Sequence, residues 1–121
     1  MEIWINPNCS KCRTALSTLD ATGEVYVVRR YLENPPTEAE LEEVLNRLGM
    51  EPWELVRMSQ EEAKPLADLP RDASTRRQWI GAMVRDPILI QRPIVTASDG
   101  TTVIGRDAEA LSRVVDAEKK A

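Results

Sequence analysis

Apolar and polar positions follow two rhythms along this chain. Residues 2–5, Glu-Ile-Trp-Ile, are β-branched and aromatic, and Asn6-Pro7-Asn8 ends the run, which predicts a short buried strand. From Cys12 the rhythm lengthens: Ala15, Leu16 and Leu19 recur at helical spacing, and Gly23 closes the helix. Val25-Tyr26-Val27-Val28 predicts a second strand running toward Arg29–Tyr31, with Asn34-Pro35-Pro36 as punctuation. Thr37-Glu38-Ala39-Glu40 has the form of a capping box, Leu41, Val44, Leu45 and Leu48 make an apolar stripe behind it, and Gly49 stops the helix.

The middle is less regular. Pro52 opens a short helical turn through Trp53-Glu54-Leu55-Val56. Ser59-Gln60-Glu61-Glu62 reads as a second capping box, cut short by Pro65, and residues 66–73 read as loop. Trp79, Ile80, Met83 and Val84 predict an amphipathic helix that ends before Pro87. Ile88–Ile90 is a strand-sized apolar run. Ile94-Val95-Thr96 and Thr102-Val103-Ile104 flank Ser98-Asp99-Gly100-Thr101, a hairpin signal. Asp107 caps a last helix carrying Ala110, Leu111, Val114 and Val115, and the tail Glu118–Ala121 is expected to fray. The order is β-α-β-α, an irregular helical segment, then β-β-α. A βαβ start demands a parallel pair and the hairpin an antiparallel one, so the fold class is α/β with a mixed sheet flanked by helices.

The totals narrow the function. A length of 121 residues suits one domain over 1–121. The formal charge of −4 speaks against a general nucleic-acid partner. No apolar run approaches the roughly 18 residues of a membrane span. The first residues, Met1–Glu2, lack the basic-then-apolar pattern of a secretory signal, and the expectation is a cytoplasmic protein.

The chemistry gathers in "NPNCSKCR", residues 6–13, which holds the only two cysteines of a chain without histidine. Cys9 falls between a strand and a helix, at or beside the helix N-terminus. Unpaired backbone N–H groups and the helix dipole there favour a thiolate. Cys12 lies about one turn on, near Cys9, and Lys11 and Arg13 add positive potential. A structural zinc ion needs four ligands, and this pair supplies two, so zinc would require a dimer and no metal is expected. Inert buried thiols are the plain alternative to a reactive Cys9 with a redox partner. Arginine outnumbers lysine 12 to 4, and most of the arginines are assigned to the surface.

"NPNCSKCR" resembles the signature of the ArsC-type arsenate reductases and the related Spx group of thiol-dependent regulators. "RYLENPP" is similar to the family's EYLxxPP, "PILIQRPIV" (87–95) to its most distinctive segment, and "VIGRDAE" (103–109) completes the series. The resemblance implies a thioredoxin-like four-stranded mixed sheet with a helical insertion at about 50–86. It also implies a nucleophilic Cys9, an oxyanion-binding triad of Arg57, Arg92 and Arg106, and a cis Arg92–Pro93 bond. In this scheme Cys12 or an external thiol such as glutathione resolves the intermediate, and Asn6, Ser10, Lys11 and Arg13 join the arginines in binding substrate. Guanidinium forks match a tetrahedral oxyanion with paired donors and stay charged. The implied activity is arsenate reduction to arsenite, with no bound cofactor and an external thiol reductant, glutathione with glutaredoxin or thioredoxin. The alternatives are an Spx-like redox switch binding RNA polymerase and a general thiol–disulfide oxidoreductase. The glutaredoxin-dependent branch often carries histidine a few residues before the nucleophile, where Ile5 stands, and commonly serine where Cys12 stands. This sequence thus combines the reductases' arginines with the Spx group's cysteine pair.

Overall fold

The computed structural model describes residues 1–121. β1 (Glu2–Ile5) is the spine of the sheet, with Ile3, Trp4 and Ile5 all buried. It pairs parallel with β2 (Val27–Arg30), Glu2 facing Val27 and Ile5 facing Arg30. On its other side it pairs antiparallel with β3 (Ile94–Thr96), which pairs antiparallel with β4 (Thr102–Ile104). The strand order is β2-β1-β3-β4. A parallel pair needs a crossover, and α1 (Ser10–Thr22) supplies it, ending at Gly23 with φ 75°. The β3–β4 turn closes through the Gly100 N–H on the Ala97 carbonyl at 3.0 Å. This is the thioredoxin-like mixed sheet, with a helical segment inserted in the chain between β2 and β3.

The chain forms two compact units, Met1–Asn34 with Arg92–Ala121, and Pro35–Gln91. In the first, Ile3, Ile5, Val95 and Val103 form one core with Cys12, Ala15 and Leu19 of α1 and with Ala110, Leu111, Val114 and Val115 of α5 (Ala108–Lys120). The Asp107 carboxylate caps α5 by accepting the Ala110 N–H at 2.8 Å. Gly105 has to be glycine for space: a Cβ there would meet Leu111 Cδ2 at 2.9 Å and Val95 Cγ2 at 3.1 Å.

In the second unit, α2 (Glu38–Leu48) starts with the capping box Thr37–Glu40, both halves formed. It is followed by α3 (Pro52–Leu55) and α4 (Arg76–Arg85). Its buried side chains include Leu41, Val44, Leu45, Leu55, Trp79, Ile80, Met83 and Leu89. Trp79 Nε1 donates to the Pro70 carbonyl at 2.9 Å, and Arg76 pairs with both Glu42 and Glu51.

Three expectations are corrected. The second strand covers 27–30 rather than 25–28, because pairing with β1 begins where the Val27 N–H meets the Met1 carbonyl at 2.9 Å; Val25 is left 83% exposed. Ser59 caps nothing: Gln60 precedes a 3-10 helix over Glu61–Leu66, and Pro65 sits inside it, where the missing N–H costs an α-helix a hydrogen bond. Pro87–Leu89 is a 3-10 turn, and Ile90 makes an isolated bridge with Val56. The tail is held rather than frayed: the Glu118 carboxylate accepts both the N–H and the hydroxyl of Ser98 at 2.7 Å and lies 3.7 Å from the chain's amino terminus. No helix is long and apolar enough to cross a membrane.

Candidate functional site

β1 runs directly into the cysteine loop, and the loop is tied at several points. The buried Asn6 side chain accepts the Asn8 N–H at 3.0 Å, and the Asn6 carbonyl accepts the Cys9 N–H at 3.0 Å. The Asn6 N–H points at Cys12 Sγ, 3.5 Å away. Arg13 Nη1 reaches back to the Pro7 carbonyl at 3.3 Å. These ties deliver Cys9 as the N-cap of α1, in extended backbone geometry. No acidic residue occupies the first turn of the helix to oppose a negative charge there. Ser10 and Lys11 open the helix on its exposed side.

The two thiols are driven apart in acidity. Partial burial pushes the Cys9 thiol up, but donors outweigh it: the Arg92 guanidinium, the backbone and side chain of Cys12, and the Lys11 backbone. Together they bring Cys9 down from 9.0 to about 7. Cys12 is fully buried. Burial pushes its thiol up to about 12, against the pull of the Asn6 N–H, and the nearby Cys9 charge adds to the rise. Near neutral pH the pair is therefore one accessible thiolate and one protonated donor, the asymmetry a nucleophile needs.

The sheet register explains why Arg92 is close. Ile94 faces Trp4 across the antiparallel pair. Continuing that register two residues past the strand end sets Arg92 level with Asn6. The Arg92–Pro93 peptide bond is cis. The Arg92 Nη1 atom is buried and has no hydrogen-bond partner. On the next strand Ile104 faces Ile94, and the Gly105 N–H bonds the Pro93 carbonyl at 2.8 Å, so the same row reaches Arg106, which is exposed. Arg57 belongs to the other unit. Its backbone N–H bonds the Leu89 carbonyl at 2.7 Å, and its Nη1 atom is buried without a partner. No cluster of three or more His, Cys, Asp or Glu side chains is placed to hold a metal ion.

One residue near the thiols escaped the sequence reading. The sequence pattern runs the second strand only toward Tyr31. Ile5 faces Arg30, so the next rung sets Tyr31 beside Asn6, on the side opposite Arg92. Its ring is fully buried. The signal available in the sequence was a polar-tipped aromatic just past a strand whose parallel neighbour carries the cysteine loop.

The ArsC family pattern matches residues 4–114. An uncharacterized protein of the glnII region from Streptomyces viridochromogenes is 58% identical over 113 residues, covering 92% of this chain and 95% of its own. An arsenate reductase from Neisseria meningitidis is 35% identical, covering 95% and 97%. The solved structure of an arsenate reductase from Vibrio cholerae superposes with a TM-score of 0.69 at 31% identity, covering 96% of this chain and 97% of that one. With the family pattern spanning nearly its whole length, this chain belongs to the ArsC family.

Proposed function

We propose that the protein is a thiol-dependent arsenate reductase, and the observation that carries this reading is Cys9 placed as the N-cap of α1 with the Arg92 guanidinium as a donor to its sulfur. The arsenate reductases among its relatives support it. The Cys9 thiolate attacks arsenic(V): an S–As bond forms, an As–O bond breaks, and the departing oxygen leaves as water after taking up protons. No electrons change hands in this step. A thiolate and an oxyanion repel one another, and Arg92 and Arg106 offset that repulsion while the helix N–H groups hold the sulfur. Asn6, Ser10, Lys11 and Arg13 shape the loop that receives the anion.

A second thiol then attacks the Cys9 sulfur. An S–S bond forms, the S–As bond breaks, and its electron pair stays on arsenic, which leaves as arsenite. Two thiols have been oxidised by two electrons. Cys12 is the nearer thiol. Adduct formation removes the Cys9 charge, one of the causes that hold the proton on Cys12, but burial, the larger cause, remains. Glutathione is the alternative second thiol. A reductant of the glutaredoxin or thioredoxin class returns the disulfide to thiols. The setting is a reducing cytoplasm, and the chemistry calls for neither nucleic acid nor membrane.

The test is arsenate-dependent NADPH oxidation in an assay coupled to each reductant. Turnover is expected with arsenate. Cys12→Ser is expected to keep turnover when glutathione is supplied and to lose it when thioredoxin is the sole thiol source. Turnover on disulfide substrates but none on arsenate would replace this reading with a general thiol–disulfide oxidoreductase.

A further inference from the structure

Two polar atoms in the first unit are buried without a hydrogen-bond partner: Tyr31 Oη and Arg92 Nη1. Both residues stand level with Asn6 when the sheet register is continued past the strand ends, one on each side of the strand that leads to Cys9. Burying a donor with nothing to bond is unfavourable, and folds keep few such groups. Two of them flanking the root of one nucleophile loop call for a common explanation.

The chemistry of the pair narrows what completes it. Arg92 Nη1 can only donate. Burial pushes the Tyr31 phenol up to about 12, with Arg92 pulling the other way, so the hydroxyl keeps its proton across the neutral range and also donates. Arg92 acts as a donor toward the phenol oxygen, which leaves the phenol O–H and the Arg92 Nη1 hydrogens without an acceptor, and a ligand that presents several acceptor oxygens fits them. We propose that Tyr31 is a binding residue for the oxyanion, its hydroxyl donating to one oxygen of the anion that Arg92 holds and Cys9 attacks. This deepens the arsenate reading and rests on it. A neutral donor adds a bond to the anion without adding charge. Screened from water, such a bond is stronger than its exposed counterpart.

Tyr31→Phe removes one oxygen and keeps the ring. Because the hydroxyl is unpartnered without ligand, the thermal midpoint of the ligand-free variant is expected to stay level or rise. Affinity is read by calorimetry, well below the midpoints, with inorganic arsenate and separately with phosphate and sulfate. The chemistry is blocked by Cys9→Ser, so Cys9→Ser is compared with Cys9→Ser/Tyr31→Phe. The expected result is a loss of arsenate affinity of about tenfold or more in the double variant. Equal affinities would overturn the role of Tyr31 and leave the arsenate reading standing, as would a lowered midpoint with affinity unchanged. No arsenate binding by Cys9→Ser itself would overturn both.

Discussion

Cys9→Ser is expected to abolish arsenate turnover, by at least about a thousandfold, while leaving the fold in place. A serine hydroxyl at the N-cap of α1 does not ionise near neutral pH, so the same helix N–H groups and Arg92 have no anion to stabilise. Serine is itself a favoured N-cap residue, which is why the helix should persist. The variant also removes a pH dependence of stability. In the folded chain the Cys9 thiol lies at about 7, below its ordinary 9.0. A depressed value means that the folded state prefers the thiolate. Its stabilising contribution is complete above pH 9 and disappears as pH falls through 7. Wild-type stability should therefore climb from this group between those limits, and Cys9→Ser should lack the climb. Denaturant midpoints measured across that range, together with coupled turnover, check both halves. Residual turnover near wild type would remove Cys9 from the chemistry.

Arg92→Gln carries the second large effect, through two separable routes. The guanidinium is the leading donor among those that lower the Cys9 thiol. Without it the thiol moves back toward 9.0, and each unit of that movement lowers the thiolate share at neutral pH about tenfold once the value is above the working pH. The same guanidinium holds the oxyanion, and losing such a donor at a developing charge costs on the order of a hundredfold. Together they predict a fall in kcat/KM for arsenate of about a hundredfold to a thousandfold at pH 7. Raising the pH to 9 should restore the thiolate share and nothing else. Partial recovery is thus the expected outcome of a pH series, and full recovery would deny Arg92 any contact with the anion.

The site was legible where local sequence sets local structure. Cys9 sits between a strand and a helix, and the strand–turn–helix placement alone assigns it the helix N-terminus, which the N-cap geometry repeats. The Thr37–Glu40 box and the Asp107 cap were equally local. What escaped the sequence depends on pairing across the sheet. Tyr31 is one residue beyond β2, and only the register between β1 and β2 sets it beside Asn6. The start of β2 escaped for the same reason: hydrophobicity favours Val25, but pairing begins at Val27. The Glu118 contact with Ser98 joins positions 20 apart, and no helical or strand pattern carries that information. Asn6 had a further role that residue type alone does not reveal, folding the cysteine loop through its own side chain and backbone.

The reading depends most on the ionisation of one sulfur, and that is directly measurable. The rate of Cys9 alkylation by iodoacetamide across pH 5 to 10, with mass spectrometry assigning the modified cysteine, gives its titration. The expected midpoint is at about 7, with Cys12 unmodified over most of the range. A midpoint at 9.0, the value of an ordinary thiol, would contradict it.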